Sequence, residues 1–122
     1  MEMQVETRLS DQLGRYLDLA TSQAKLAEVN MANIDTPGYK AVRMDFEAEM
    51  REAIVDGDQN IGSRPVRVRV TDGLIARPDG NDVSLDRESL NLAEAQLKFK
   101  TGVALLRVEN QRVLDAIHAD GK

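Results

Sequence analysis

The chain has no cysteine and no tryptophan, and its 122 residues include only two tyrosines, two phenylalanines and one histidine. Without cysteine there is no disulfide framework, no thiolate nucleophile and no cysteine-bound zinc. Large rigid anchors are scarce, which suits long packed helices better than an enzyme core. His118 has no second histidine, cysteine or serine motif to work with, and no glycine loop of the phosphate-cradling kind occurs. No enzyme activity is expected, and no catalytic residue, metal or cofactor is assigned. Basic residues are outnumbered, 16 to 21, for a formal charge of −5 with no basic stripe. A phosphate-backbone binder needs the reverse, so no nucleic acid partner is expected. No apolar run approaches the ~20 residues that span a bilayer, so membrane insertion is not expected. Met1 to Glu6 has neither the basic nor the apolar region of a secretory signal. Any passage out of the cytoplasm is expected to use a route without a cleaved signal peptide.

What is present is alanine, leucine, valine and polar helix formers, in a chain long enough for one small domain. Apolar residues at Leu9, Leu13, Tyr16, Leu17, Ala20, Ala24, Ala27 and Met31 recur at steps of three and four, predicting one amphipathic helix from about Gln4 to Ala32. Gly14 interrupts it at a cost of up to about 1 kcal/mol relative to alanine, which a backbone packed closely against a neighbour would justify. After a turn, Ala41 to Met44 reads as extended, and Asp45 offers an N-cap for a short helix through Ile54. The acidic loop from Asp56 to Ser63 lacks the terminal glutamate and following helix of a calcium loop, and reads as a connection. Val66, Val68 and Val70 alternate with Arg67 and Arg69 as in a strand, with Leu74 to Ala76 as the expected return strand of a hairpin. The two arginines suggest a solvated or subunit-facing surface rather than an anion site.

Ser84 is a plausible N-cap for a second long helix, with Asp86 and Glu88 in its first turn where the dipole favours them. One apolar seam of this helix runs Leu92, Ala95, Phe99, Val103, Leu106, Val113 and Ile117, interrupted by Asn110. A second runs from Leu90 through Ala93, Leu97 and Ala104 to Val108. Glu94 and Lys98, four apart, read as helix support. Two adjacent seams make an apolar face wider than one intramolecular partner covers, and the expected cover is neighbouring copies, the alternative being the strands and the short helix. The expected fold is therefore mainly α, with long N- and C-terminal amphipathic helices packed as a coiled-coil-like hairpin or bundle. A short middle helix and a small β-hairpin complete it. The segments are residues 1–40, 41–82 and 83–122 of one domain.

The stretch that redirects the chain is Asn30 to Lys40. Pro37 fixes its own φ and Gly38 can take the positive φ of a type II turn, so Thr36-Pro37-Gly38-Tyr39 reads as that turn. Asn30 and Asn33 would stitch helix to turn through their amides. The string Asn30-x-Ala32-Asn33-x-x-Thr36-Pro37-Gly38-Tyr39-Lys40 at the end of an N-terminal helix resembles the signature of the bacterial flagellar rod and hook proteins. The segment Asp45 to Glu47 and the stretch from Asn81 to Glu88 resemble the same family, and Val83-x-Leu85-Asp86-Arg87-Glu88 is similar to its proximal rod members.

The resemblance implies a structural subunit of the flagellar basal body rod, in the periplasmic space, delivered through the flagellum's own type III export apparatus. It implies further copies, the neighbouring rod proteins and the rod-base protein FliE as partners. Polymerisation through the terminal helices would transmit torque and line the export channel. Leu9, Leu13, Leu17, Leu97, Phe99, Leu106 and Ile117 are the expected packing residues. Asn30, Ala32, Asn33, Thr36, Pro37, Gly38 and Tyr39 form the family turn. The competing readings are a monomeric helical adaptor, which would keep both long helices protected in solution, and another rod or hook component.

Overall fold

The computed structural model describes residues 7–56 and 64–120. Helix α1 (Arg8–Ala32) begins where Thr7 and Ser10 cap each other reciprocally: the Ser10 amide donates to Thr7 Oγ1 at 3.0 Å and the Thr7 amide to Ser10 Oγ at 2.8 Å. The expected start at Gln4 lies outside the described residues. Strand β1 (Val42–Met44) follows the turn, and helix α2 (Phe46–Asp56) is capped by Asp45, whose Oδ1 accepts from the Ala48 amide at 3.0 Å. The acidic loop after Asp56 falls outside the described residues up to Ser63. Strand β2 (Val68–Val70) and helix α3 (Leu85–Asp120) complete the chain, Ser84 Oγ accepting from the Arg87 amide at 3.3 Å as the N-cap.

Helices α1 and α3 form an antiparallel hairpin. Thr7 meets Glu109, Leu17 meets Gly102, and Asn30 meets Glu88. Gly102 is what lets the helices close: a Cβ there would stand 2.7 Å from Leu17 Cδ2 and 2.9 Å from Tyr16 Cδ1. Leu13, Ala20 and Ala27 of α1 and Ala95 of α3 are buried, while Leu9 is half exposed. Leu19, fully buried, was not part of the expected stripe. It lies one turn from Arg15, on the side of α1 turned toward α2, so α1 packs on two flanks rather than one.

The small antiparallel sheet is present, but its strands are not the expected pair. β2 pairs with β1 in the register Val42↔Val70, Arg43↔Arg69, Met44↔Val68, and Leu74 to Ala76 form no strand. The physical reason lies in β1, which is already fixed on its other edge. The Asn30 amide accepts from Val42 N at 3.0 Å and donates to Val42 O at 2.9 Å, as a neighbouring strand would. The valines of β2 stay half exposed, while Arg69 and the preceding Arg67 turn to α2 and its cap. Arg67 pairs with Glu49 at 2.9 Å and Glu52 at 2.7 Å, and Arg69 with Asp45 at 3.4 Å. α2 is held to α1 by buried Ala53, by an edge-on Tyr16–Phe46 contact with ring centroids 5.3 Å apart, and by a buried Arg15–Glu49 pair at 3.6 Å. Glu94 and Lys98 form no ion pair. Lys98 instead reaches Gln23 Oε1 at 2.9 Å and lies 3.9 Å from the centre of the Phe46 ring.

Candidate assembly surface and the junction beside it

The turn after α1 is built from polar side chains that the surrounding backbone requires. Tyr39 N bonds Thr36 O at 3.2 Å and Gly38 has φ 75°, the geometry of a type II turn. Asn33 donates to Val29 O at 2.8 Å and accepts from the Thr36 hydroxyl at 3.1 Å, closing the end of α1. Asn30, 2% exposed, binds Val42, donates to Glu88 Oε1 at 2.9 Å and accepts from the Tyr39 hydroxyl at 3.1 Å. One amide thus ties α1, the turn, β1 and α3. Burial pushes the Tyr39 hydroxyl above its ordinary value, and Glu88 and Asp82 add to the rise.

The lead-in to α3 completes this junction. Asn81 is fully buried and donates to Asn33 O and Thr36 O, both at 2.8 Å, while its own Oδ1 accepts from Val83 N at 2.8 Å. Asp82 accepts from Ala41 N at 2.7 Å, and Gly38 N bonds Asp79 O at 2.8 Å. Arg77 donates to Val83 O at 2.9 Å and also to Ile34 O. Gly80, with φ 85°, passes so close that a Cβ would sit 3.3 Å from Gly38 Cα. Asn81, Asp82, Arg77 and Glu88 were not among the expected site residues. A polar run after a proline looks like any surface loop until the turn it closes over is in place. The one local signal was Asn81 two residues before Val83, the spacing at which asparagine mimics a turn.

At the other end of the hairpin, Thr7 Oγ1 donates to Glu109 Oε2 at 2.7 Å and Arg112 Nε to Glu109 Oε1 at 2.6 Å. These two partners, Arg112 first, hold the Glu109 carboxyl below the usual carboxylate range. The start of α1 is thereby fixed to α3.

The two seams of α3 part company. Ala95 is buried, and Val103, Leu106, Val113 and Ile117 are partly covered. Leu90, Leu97 and Val108 are 59%, 67% and 67% exposed, with Ala93 and Ala104 exposed among them. At about 100° per residue, Leu97 lies roughly 160° from Ala95, so the seams face opposite ways rather than side by side. Of the expected packing residues, Leu13 is buried and Leu17 and Leu106 half-buried inside the hairpin; Ile117 is half-buried, Phe99 is 43% exposed, and Leu97 points away. Of the turn residues, Asn30, Asn33, Thr36, Gly38 and Tyr39 carry hydrogen bonds of the junction, whereas Ala32 and Pro37 lie on its surface.

Among the described residues no group of three or more His, Asp or Glu side chains is arranged to hold a metal ion, and no helix is long and apolar enough to cross a membrane. The chemistry on offer is that of a surface: an apolar line on α3, bordered by Lys100 and Arg107, which make no ion pair among the described residues.

No family model matches the chain. It is 31% identical over 108 aligned positions to the flagellar basal body rod protein FlgB of Salmonella typhimurium, covering 74% of this chain and 78% of that protein. With FlgB of Cereibacter sphaeroides the identity is 31% over 129 aligned positions, covering 93% and 99%. With FlgB of Borrelia hermsii it is 32% over 104 positions, covering 70% and 77%.

Proposed function

Because the chain belongs to the FlgB family of flagellar basal body rod proteins, we propose that it is a structural subunit of the proximal rod and polymerises through its terminal helices. The observation that supports this best is the outward apolar line of α3, where Leu90, Leu97 and Val108 are more than half exposed. Burying such a line is worth about 25 cal/mol per Å² of apolar surface, a gain realised only with a partner. In this reading further copies, the other rod proteins and the rod-base protein FliE supply that cover. The assembled helices transmit torque and surround the export channel in the periplasmic part of the basal body. The chain reaches that place through the flagellar export apparatus, and a sequence without cysteine carries no disulfide that such passage would have to undo.

The junction at Asn30 and Asn81 fits the mechanical role. It fixes the angle at which α1 hands over to β1 and α2, so load on the helices passes through hydrogen bonds rather than a loose loop. The test is Leu97→Asp in the bacterium that encodes the chain, with the native copy deleted. The variant is expected to be synthesised at normal levels, to be missing from purified basal bodies and to leave cells non-motile. Normal rods would contradict the reading, as would a wild-type chain that functions only as a monomeric adaptor. Leu106→Asp is a poorer probe, because Leu106 is half-buried and its replacement would damage the hairpin itself.

A further inference from the structure

The outward face of α1 and the outward face of α3 match one another. On α1 the line turned away from α3 runs Asp11, Gly14, Asp18, Thr21 and Lys25, at steps of three, four, three and four. On α3 the line turned away from α1, read backward, runs Arg107, Ala104, Lys100, Leu97 and Ala93, at the same steps. We propose that α1 of one copy packs antiparallel on α3 of the next along these two lines. This rests on the reading that the chain assembles with itself, and it names the surfaces, their register and the polarity of the array.

Laid against each other, the lines bring Asp11 to Arg107 and Asp18 to Lys100, and set Lys25 beside Glu94. None of these six forms an ion pair with another of the described residues. Opposite-charge residues flanking an apolar seam select partner and register in helix pairs. Between the charged pairs, Thr21 lies against Leu97 and Gly14 against Ala104. Among the described residues nothing requires a glycine at position 14, since a Cβ there would meet none of them within 4 Å. In the proposed contact its missing side chain lets the two backbones approach over Ala104. A repeat averaging 3.5 residues on both lines calls for a gentle left-handed crossing.

The register also fixes how copies are placed. Within the chain Leu17 meets Gly102 and Asn30 meets Glu88. Asp18 against Lys100 and Asp11 against Arg107 fall at the same height. Neighbouring copies therefore stand side by side, pointing the same way, with an axial offset smaller than about one helical turn of 5.4 Å. The contact joins two different faces, so each copy offers one of each and the array can close as a ring or climb as a helix. A two-fold pairing of α3 with α3 would do neither.

The absence of cysteine makes the test clean. Thr21→Cys and Leu97→Cys are placed together in the full chain, expressed in the flagellated host in place of the native protein, and basal bodies are oxidised. The expected result is a ladder of dimers, trimers and higher adducts, with neither single variant giving any. Dimers from Leu97→Cys alone would overturn the proposal in favour of two-fold pairing. A second arm reverses charge: Asp18→Lys and Lys100→Asp each lose incorporation, and the two combined in one chain recover it. If both single reversals incorporate normally while Leu97→Asp does not, the register is wrong and the rod reading stands. If Leu97→Asp incorporates as well, both fall.

Discussion

At the turn end of the hairpin, Asn30, Asn81, Asp82 and Glu88 are buried and hydrogen-bonded to named partners within the chain. Along the outward face of α3, Leu90, Leu97 and Val108 are mostly exposed and touch nothing that hides them. Polar groups are inside where hydrophobic ones are expected, and hydrophobic groups are outside where polar ones are expected. The junction spends its hydrogen-bonding capacity on holding one conformation, because a buried amide left unpaired costs about 1–3 kcal/mol. In the proposed rod the open face gives up its hydrophobic surface to a neighbouring copy. The junction would then determine the shape of the subunit, and the open face its association.

A substitution on each side separates these roles. Leu97→Asp should have the largest consequence for function and almost none for folding. An exposed helix position away from caps and cores shifts stability by about 0.5 kcal/mol or less, so thermal melts of the variant and the wild type should nearly coincide while rod incorporation is lost. A matching loss of melting temperature would mean that the apolar line has a cover within the chain after all. Asn30→Ala should do the opposite. It leaves both backbone groups of Val42, the Glu88 carboxylate and the Tyr39 hydroxyl without their shared partner, and a loss of about 3 kcal/mol in denaturant unfolding is expected. Loss below about 1 kcal/mol would show that water substitutes for the amide.

The sequence made one of these regions easier to read than the other, for a physical reason. The type II turn was legible because Pro37 and Gly38 act on the local backbone, and Asp45 and Ser84 as caps were legible for the same reason. Asn81 and Glu88 were not. A buried Glu88 and a solvated first-turn glutamate have the same sequence signal, and only the approach of Asn30 from 58 positions away tells them apart. Leu19 lies outside the single apolar stripe that the spacing shows on α1, because α2 and α3 cover two flanks of that helix. The return strand was sought at Leu74 to Ala76 because hairpins are local. Val42 had already been held in strand geometry by Asn30, and that offered β2 a better edge. The surplus apolar face of α3 was visible in the spacing, but that its two seams point in opposite directions needed the angle between Ala95 and Leu97 to be drawn.

Acid provides a weaker perturbation that acts on the ends of the hairpin and of α2. Asp45 is held below the usual range chiefly by its bond from the Ala48 amide, and Glu109 chiefly by Arg112. The folded chain therefore binds fewer protons than the unfolded one in this range. The stabilisation is complete above the ordinary carboxylate values near 4 and drains away as pH falls toward the lower folded ones. Glu109→Gln should flatten that part of the pH–stability curve below about pH 4.5 while leaving its neutral limb parallel to the wild type. An unchanged acid slope would show that Glu109 keeps its ordinary affinity for protons.

The smallest effects belong to two helix glycines that look alike in sequence and sit in opposite surroundings. Gly102→Ala gains helix propensity worth up to about 1 kcal/mol but forces Leu17 and Tyr16 aside. Overpacking of this kind costs about 1–3 kcal/mol, so a net loss of about 1 kcal/mol is expected. Gly14→Ala places its Cβ within 4 Å of nothing among the described residues. It should stabilise the isolated protein by up to about 1 kcal/mol, through propensity and a less flexible unfolded state. The proposed contact gives this half-buried glycine its use. The same Gly14→Ala chain should melt no lower than the wild type and yet assemble poorly, because its methyl group would hold α1 away from Ala104 of the next copy. Unimpaired assembly of that variant would mean that Gly14 faces solvent in the rod.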